Sequence, residues 1–413
     1  MSVADASDDA PPPRGWRPGP GLLVTAAFIG PGTVTTASLA GAKFGFALAW
    51  TLLLAVGAAI VLQEMAARLG MVARLGLAEA IRESITWPPA RVAALALVLV
   101  AIVFGNTAYQ TGNLIGAGMG LSVVTGISQQ ACAAVTGVAV AVLLITSGTG
   151  RWLQTPLIII VLAMSVAFLA TAFLASGDAA GHSVATEGSW LPAGSLLTAL
   201  ALVGTTVVPY NLFLHATAAK QNWPAGLGET RTQLQAARVD TVFAIGLGGA
   251  VTLAILTTAV AAFYGRQPPP GNALEMAKQL GPVLGPAGRW LFAAGLAAAG
   301  ITSAITAPLA ASYVVAGALP QAPAWLARLA AAVVALTGAC LAASFGASPV
   351  QAIVLTQAAN GLLLPLVAAF LLLVVNRVGL LGEHRNRWRL NAAGAAALLL
   401  TIALGVKLLA TAF

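Results

Sequence analysis

FIGPGTVTT, residues 28–36, interrupts the first long apolar run of the chain with two glycines and a proline. Proline removes a backbone donor and clashes with the preceding helical turn, and glycine tolerates an unwound backbone. A second stretch, GTTVVPYNLFLH at residues 204–215, again places a proline deep inside an apolar segment. Together the two stretches predict two broken membrane helices.

The composition explains why these apolar runs belong in a membrane. The chain has 413 residues, is 59% hydrophobic and 8% charged, and has a mean hydropathy of +0.91. Soluble domains carry roughly 25% charged residues, so this chain has too few charges to cover a water-facing surface. Its apolar runs reach about 20 residues, the length that crosses a bilayer. We therefore expect an all-α polytopic membrane protein.

Other protein classes find little support in the sequence. Cys132 and Cys340 both fall inside predicted spans, so no disulfide framework is expected. Residues 1–13, MSVADASDDAPPP, are acidic and proline-rich, unlike a signal peptide, and we expect a disordered tail. The sequence contains no HExxH motif, no GxSxG elbow and no nucleotide-binding loop. An enzyme is therefore not expected, and no cofactor is predicted.

Hydropathy, together with glycine, proline and charge punctuation, divides the chain into eleven predicted spans. These lie near 21–42, 47–68, 91–121, 128–147, 153–176, 193–219, 237–264, 286–317, 324–344, 349–376 and 390–411. With the N-terminus inside, fifteen of the twenty basic residues fall in cytoplasmic segments, which fits the positive-inside rule. We predict a multi-pass protein of the cell membrane with a cytoplasmic N-terminus and an extracytoplasmic C-terminus. The basic balance orients the chain in the lipid bilayer and indicates no nucleic-acid partner.

The two prolines occupy matching positions in the predicted topology. Pro31 and Pro209 each lie in the first span of a five-span block, and Thr33 and Asn211 follow them two residues later. Freed backbone groups survive at membrane depth only where they face protein or a water-filled cavity. Paired interruptions in corresponding halves are typical of transporters with inverted repeats and a site at the midplane. The alternative is a pair of purely structural proline kinks.

Five stretches of the chain resemble the NRAMP (natural resistance-associated macrophage protein) family of divalent-metal transporters. They are GPGLLVTAAFIGPG at 19–32, LQEMAARLG at 62–70, VPYNLFLH at 208–215, LFAAGLAAAGITSAIT at 291–306 and LTQAANGLLLPL at 355–366. In this order and spacing they cover nearly the whole chain, from Gly19 to Leu409. The resemblance implies the leucine-transporter fold, a 5+5 inverted repeat plus an eleventh helix, with helices 1 and 6 broken.

This fold implies a division of the chain into five parts. They are a cytoplasmic tail (1–18), a first repeat (19–176), an extracellular loop (177–192), a second repeat (193–376) and a cytoplasmic loop with helix 11 (377–413). We expect a monomer whose partners are the lipid bilayer and a small-molecule or ion substrate.

The chain departs from the family at the residues that would hold the metal. The resemblance implies Asp-Pro-Gly-Asn in span 1, where residues 30–33 read GPGT, and Met-Pro-His-Asn in span 6, where residues 208–211 read VPYN. The third-span carboxylates that the family associates with proton movement correspond here to Gln110 and Asn113, while His215 and Gln357 match the family. The chain thus resembles a divergent bacterial-type member of the family that lacks the metal-binding Asp and Met.

All candidate substrate-binding residues are neutral. They are Gly30, Pro31, Gly32, Thr33, Val207, Val208, Tyr210, Asn211, Thr302, Ser303 and Gln357. None of the twelve acidic residues falls at a predicted midplane. Because Mn²⁺ favours oxygen ligands that include carboxylate, we expect weak or no binding of Mn²⁺ and Fe²⁺. No metal ligand is assigned; Thr33, Asn211 and Gln357 are the side chains that a cation would use.

The candidate coupling or gating residues are His215, Asn106, Gln110 and Asn113. His215 is the group near the site that titrates near neutral pH, and it lies one turn after Asn211 on the same helix face. The other three recur at i, i+4 and i+7 along span 3. The structural alternatives are a hydrogen-bonded histidine and a stripe of interhelical hydrogen bonds.

Two classes of function stay open. One is transport of a metal cation through a modified site, as the resemblance implies. The other keeps the fold and moves a neutral or zwitterionic organic solute such as an amino acid, whose carboxylate would lie at a helix N-terminus near Asn211 or Thr33. A channel or a non-transporting membrane component is a third class, and no filter-like repeat supports it.

Overall fold

A computed structural model of the protein describes residues 29–146, 151–175, 177, 190–222, 230–266, 268–346 and 348–412. Within those residues every regular element is a helix. The longer helices, in chain order, are α1 (Pro31–Phe44), α2 (Ala49–Val72), α3 (Leu77–Ser84), α4 (Pro88–Thr125), α5 (Gln129–Thr146), α6 (Arg151–Leu174), α7 (Leu196–Thr206), α8 (Pro209–Asn222), α9 (Thr230–Phe263), α10 (Gly288–Ala318), α11 (Ala324–Ser344), α12 (Pro349–Val375) and α13 (Trp388–Ala412). Shorter helical segments lie at Ala273–Met276, Ala277–Leu280, Gly281–Leu284, Gly285–Ala287, Val378–Leu381 and Gly382–His384.

The described part of the chain contains ten stretches that are long and apolar enough to cross a membrane, with α7 and α8 counted as one. The fourteen residues of α1 form the second half of the predicted first span. Its first half, residues 21–28, lies outside the described residues, as do the predicted tail 1–18 and most of the predicted loop 177–192. The prediction of an all-α polytopic membrane protein is confirmed.

Two spans extend further than the sequence pattern predicts. Helix α4 begins at Pro88, because Pro88 and Pro89 suit the first turn of a helix, and it ends where Gly126 takes a left-handed conformation with φ of 74°. Helix α9 begins at Thr230, seven residues before the predicted span, because the polar residues TRTQLQA continue the helix beyond the apolar segment. Hydropathy detects the apolar part of a helix and misses such extensions.

The predicted break in span 6 is confirmed. Helix α7 ends at Thr206 and α8 begins at Pro209, with Val207 and Val208 outside both helices. Proline is well suited to this start, since its missing N–H is one that the first turn leaves unpaired in any helix. Helix α1 likewise begins at Pro31, preceded by Gly30 in an extended conformation with φ of −95° and ψ of 177°. Both α1 and α8 therefore start at a proline inside the bundle.

Small residues bring the helix backbones together around these breaks. A carbon placed on Gly204 of α7 would lie 2.5 Å from the backbone nitrogen of Gly361 on α12. A carbon on Gly300 of α10 would lie 2.6 Å from the backbone nitrogen of Ala117 on α4. The ring of Pro31 packs against Gly116, also on α4. Lipid tails are as apolar as the helix surfaces, so the hydrophobic effect does not drive membrane helices together. Close approach at small residues supplies van der Waals contact that does.

Candidate substrate site at the helix breaks

Two hydroxyl groups line the position where the NRAMP motif carries its aspartate. A side-chain carbon placed on Gly30 would lie 3.0 Å from Ser303 Oγ and 3.4 Å from Tyr109 Oη. Ser303 belongs to α10 and Tyr109 to α4, and both side chains are fully buried. The space next to the start of α1 is therefore bordered by neutral oxygen atoms.

Gln357 of α12 lies at the centre of the candidate site, against glycines of three other helices. A carbon placed on Gly32 of α1 would lie 2.5 Å from Gln357 Nε2 and 2.8 Å from Gln357 Oε1. One placed on Gly112 of α4 would lie 3.2 Å from the same nitrogen, and one on Gly204 of α7 would meet the backbone oxygen of Gln357. Only residues without a side chain leave room for this amide.

Several buried polar atoms around the breaks have no hydrogen-bond partner among the described residues. They are both amide atoms of Gln357, both amide atoms of Asn113, Asn211 Oδ1, Ser303 Oγ and Asn360 Nδ2. Each of these side chains is at most 1% exposed. Leaving a buried polar group unpaired costs about 1–3 kcal/mol, and native proteins contain few such groups. Their concentration next to the helix breaks indicates a site for a polar ligand.

Other predicted site residues are already engaged within the protein. The Thr33 hydroxyl lies 3.0 Å from the Thr205 hydroxyl, so a buried hydrogen bond joins α1 to α7. The Thr302 hydroxyl donates to the carbonyls of Ala298 and Ala299 in its own helix, at 3.0 and 3.1 Å. Thr33 therefore contributes to holding the two breaks together, while Thr302 contributes less to a ligand site than its sequence position suggests.

The first turn of α8 carries an aromatic contact to α4. The rings of Tyr210 and Tyr109 pack edge to face, with centroids 5.2 Å apart and planes at 68°. Val207 and Val208, the residues of the break, are fully buried. The Val208 carbonyl accepts a hydrogen bond from the backbone N–H of Asn211 at 3.0 Å. The Asn211 side chain therefore belongs to the first turn of α8, close to the positive end of that helix.

The predicted polar stripe on α4 divides into two kinds of residue. Asn106 Nδ2 donates to the carbonyl of Ala307 at 2.9 Å, and Gln110 Nε2 donates to the carbonyl of Ala304 at 3.0 Å. Both are interhelical hydrogen bonds to α10, which is the structural alternative for these two residues. Asn113, one turn further along, has neither amide atom paired within the described chain. Gln110 Oε1 is also unpaired within the described chain, so Asn113 and the carbonyl oxygen of Gln110 are the polar groups of this stripe available to a ligand.

His215, the predicted coupling residue, is buried and hydrogen-bonded. Its Nδ1 atom lies 2.9 Å from Gln63 Oε1 on α2, and its side chain is 1% exposed. This contact connects α8 to α2 at a position one helical turn after Asn211. A coupling role for His215 stays a prediction.

The electrostatics of the site come from helix ends, since the described acidic side chains lie elsewhere. No three His, Cys, Asp or Glu side chains of the described chain come together as a metal-binding group. Glu64 pairs with Arg68 and Arg238, and Glu79 pairs with Lys220. The N-termini of α1 and α8 carry partial positive charge and the C-terminus of α7 partial negative charge. Oriented dipoles and amides, with no formal charge, therefore surround the breaks.

Three buried polar residues at the site are not among those predicted from the sequence. Tyr109 borders Gly30, Thr205 bonds to Thr33, and Asn360 lies one turn after Gln357. The spacing of Asn360 from Gln357 and the TT pair just before the break at 207–208 were available signals. Tyr109 could not be found in this way, because only the packing of α4 against α1 brings it to the site.

Comparison with known proteins gives consistent results along the chain. The family model described as "Natural resistance-associated macrophage protein-like" matches residues 21–411. The divalent metal cation transporter MntH of Deinococcus radiodurans is 30% identical over 406 residues, covering 96% of this chain and 91% of the relative. The protein of the same name from Agrobacterium fabrum is 31% identical over 406 residues, covering 95% and 86%.

Solved structures show the same fold. The manganese transporter of Eremococcus coleocola superposes with a TM-score of 0.77 at 21% identity, covering 96% of this chain and 88% of that one. MhsT in complex with L-phenylalanine superposes with a TM-score of 0.66 at 15% identity, covering 97% and 100%. The predicted leucine-transporter architecture is therefore confirmed, and with the match over residues 21–411 the chain belongs to the natural resistance-associated macrophage protein-like family.

Proposed function

We propose that this chain is a secondary membrane transporter whose substrate binds between the N-termini of α1 and α8, the C-terminus of α7 and the amide of Gln357. Metal-ion transport is the function that the family and the names of its curated relatives support. The site handles Mn²⁺ and Fe²⁺ poorly. The observation that carries this proposal is the neutral lining of the Gly30 position, where Ser303 and Tyr109 present hydroxyl groups.

The physical reason is the desolvation of the ion. A divalent cation at membrane depth gives up a strongly bound hydration shell, and hard cations recover that free energy chiefly from charged oxygen ligands. Neutral amides and hydroxyls return less of it. A cation that does bind would use Thr33, Asn211 and Gln357, and of these only Asn211 and Gln357 have atoms unpaired within the described chain.

A second candidate substrate is a neutral or zwitterionic organic solute. The two helix N-termini favour an anionic group such as a carboxylate, and unpaired amide groups supply both donors and acceptors. The unpaired atoms of Asn113, Asn211 and Gln357 are of this kind. A dipolar molecule would satisfy them without any formal charge on the protein.

Rebuilding the family motif tests the proposal. In Gly30→Asp/Thr33→Asn/Val208→Met, a carboxylate, an amide and a thioether return to the site. Ser303→Ala is added because Ser303 Oγ would lie 3.0 Å from the side-chain carbon introduced at position 30. We expect isothermal titration to detect Mn²⁺ binding in this variant and none in Ser303→Ala alone. Equal Mn²⁺ binding by the two proteins would refute the claim that neutral ligands limit the site.

A thermal-shift panel separates the two substrate classes. Purified protein is heated with divalent metals, amino acids or other small metabolites, each at about 100 times a plausible Kd. A ligand at that excess stabilises the folded state by about 2.7 kcal/mol. Stabilisation by a zwitterion that is lost in Asn211→Leu supports the organic solute, and stabilisation by a metal that is lost in the same variant supports the cation.

A further inference from the structure

A large basic cavity opens at one membrane end of the bundle, away from the helix breaks. It has a volume of about 1080 Å³ and lies between the end of α2, the beginning of α9 and the start of α13. Five arginines line it, against two glutamates: Arg68, Arg238, Arg385, Arg387 and Arg389, with Glu64 and Glu383. We call this space the basic cavity. Its lining therefore carries a formal excess of positive charge, and none of these charged residues belongs to the candidate site at the helix breaks.

The acidic residues of the basic cavity do not neutralise all of its arginines. Glu64 is engaged twice, with Arg68 Nη2 at 3.2 Å and Arg238 Nε at 2.8 Å. Glu383 lies 3.7 Å from His384 and its side chain is 89% exposed. Among the described residues, no carboxylate comes within 4.0 Å of Arg385, Arg387 or Arg389. These three guanidinium groups are available to an anion.

Arg68 is structural and gives the cavity a fixed wall. It is 3% exposed, donates from Nη1 to the carbonyl of His384 at 2.6 Å, and also contacts the Asn386 side chain. The backbone of Asn386 in turn donates to the carbonyl of Val375 at 3.2 Å. The loop that carries Arg385 and Arg387 is therefore attached to α2 and α12, so the two arginines are held at the cavity.

The other wall of the basic cavity is apolar and continues along the spans. Ile60 and Val61 of α2, Val242 of α9 and Leu390 of α13 line it together with the arginines. The Val242 side chain is 48% exposed, and Phe243 next to it is 70% exposed. All three helices are candidate membrane spans. A ligand that fits this lining has a negatively charged head and a long apolar body.

We propose that the basic cavity binds the phosphate headgroup of an anionic phospholipid, with an acyl chain lying along its apolar wall at Ile60, Val61 and Val242. Guanidinium groups bind phosphate through paired, charge-assisted hydrogen bonds. Trp388, 74% exposed at the start of α13, suits the interface between headgroups and hydrocarbon. The predicted orientation places this end in the cytoplasmic leaflet, where clusters of basic residues next to membrane spans attract anionic lipids. Free phosphate shares the headgroup's chemistry but does not use the apolar wall.

Native mass spectrometry of the delipidated full chain tests the lipid proposal. Phosphatidylglycerol and phosphatidylcholine with identical acyl chains are titrated separately, and we expect the anionic lipid to bind at least about tenfold more tightly. Arg385→Gln/Arg387→Gln removes two exposed charges from the cavity. This pair should weaken phosphatidylglycerol binding about 30-fold, the combined effect of two basic residues near an anionic headgroup.

The matched control removes two charges outside the cavity. Arg91→Gln/Arg328→Gln makes the same change in net charge on the same predicted side of the membrane, and it should leave lipid binding unchanged. An equal loss in both pairs would show that only the general surface charge attracts the lipid, and would overturn the site. Val242→Trp fills the apolar wall; it should weaken lipid binding while leaving the arginines in place.

Inorganic phosphate distinguishes the two sources of a phosphate group. Added at constant ionic strength, it should not displace phosphatidylglycerol at concentrations near those of the lipid. Displacement at such concentrations, together with unchanged binding in Val242→Trp, would identify the ligand as a free phosphate compound and contradict the lipid proposal.

Discussion

Gln357 shows how a single side chain can carry information about a ligand. It is fully buried, Gly32 and Gly112 make room for its amide, and neither of its amide atoms has a hydrogen-bond partner in the described chain. A buried amide without partners lowers the stability of the protein that carries it. Such a residue makes physical sense where a bound molecule supplies the missing partners for part of a transport cycle.

We therefore predict that Gln357→Leu stabilises the ligand-free protein while abolishing transport. An apolar side chain of similar size removes the unpaired amide and relieves about 1–3 kcal/mol. The apparent Tm of the purified protein should rise, and any ligand-induced Tm shift should disappear. A lower Tm would mean that the amide is paired in the native state and is not part of an unsatisfied site.

Gln279→Leu is the control with the opposite sign. Gln279 is also buried, but its amide is hydrogen-bonded to Ser38 Oγ at 2.9 Å, to Thr258 Oγ1 at 3.2 Å and to the carbonyl of Met276 at 3.0 Å. Removing it leaves those partners unpaired in the interior, which costs about 1–3 kcal/mol. The same chemical change should thus raise the Tm at position 357 and lower it at position 279.

At the scale of residues, the sequence predicts which residues lie at the site better than it predicts their hydrogen-bond partners. Gln357, Ser303 and Asn211 are found by their correspondence to family motifs, and the structure places them around the breaks. Thr302 is found too, but its hydroxyl turns back to its own helix. Thr205 is missed although the TT pair before the break was a local signal, whereas Tyr109 reaches the site only through the packing of α4 against the start of α1. No local pattern encodes contacts across more than seventy residues.

The broken helices require close contact between neighbouring elements. Gly204 lies just before the break in span 6, where α7 packs against the backbone of α12. A side chain there would meet backbone atoms, which cannot move aside as a flexible side chain can. The position of the break therefore depends on glycine in the packing as well as on proline in the chain.

We predict that Gly204→Ala destabilises the protein by about 1–3 kcal/mol or more, the usual effect of overpacking a tight interior. The added carbon would lie 2.5 Å from the nitrogen of Gly361. The matched variant is Gly246→Ala in α9, where no atom lies within 4 Å of the new carbon. There alanine should stabilise by about 0.5–1 kcal/mol, because glycine disfavours a helix interior. Thermal unfolding in detergent measures both, and equal shifts would contradict the tight α7–α12 contact.

At the scale of elements, the breaks are predictable and the helix ends are not. Proline and glycine have local effects on the backbone, so residues 30–32 and 207–209 could be identified without any knowledge of tertiary structure. The ends of α4 and α9 extend past the apolar segments, and hydropathy has no signal for a helix that continues into polar surroundings. Span positions are therefore more reliable than span lengths.

The distribution of charge over the whole molecule predicts its orientation in the membrane. Fifteen of the twenty basic residues fall on one predicted side, and the basic cavity with its five arginines lies at that end. The predicted orientation, N-terminus inside and C-terminus outside, follows from this asymmetry. The lipid proposal rests on the same asymmetry, because the five arginines of the basic cavity lie at this end.

Single cysteines test the orientation. Lys278→Cys lies on the predicted outer side and Glu383→Cys on the predicted inner side, each in a Cys132→Ala/Cys340→Ala background, and both positions are exposed. A membrane-impermeant maleimide should label position 278 in intact cells and position 383 only after permeabilisation. The reverse labelling pattern would show that the chain inserts with the opposite topology.

The central claim is that two interrupted helices meet to form an uncharged substrate site. Uptake of Mn²⁺ into proteoliposomes tests it most directly, with a curated MntH relative reconstituted in parallel as the positive control. At micromolar Mn²⁺ we predict that the relative accumulates the ion while this chain stays at the level of empty liposomes. Accumulation by this chain with micromolar affinity would contradict the account, since neutral amides and hydroxyls would then suffice to desolvate a transition-metal ion.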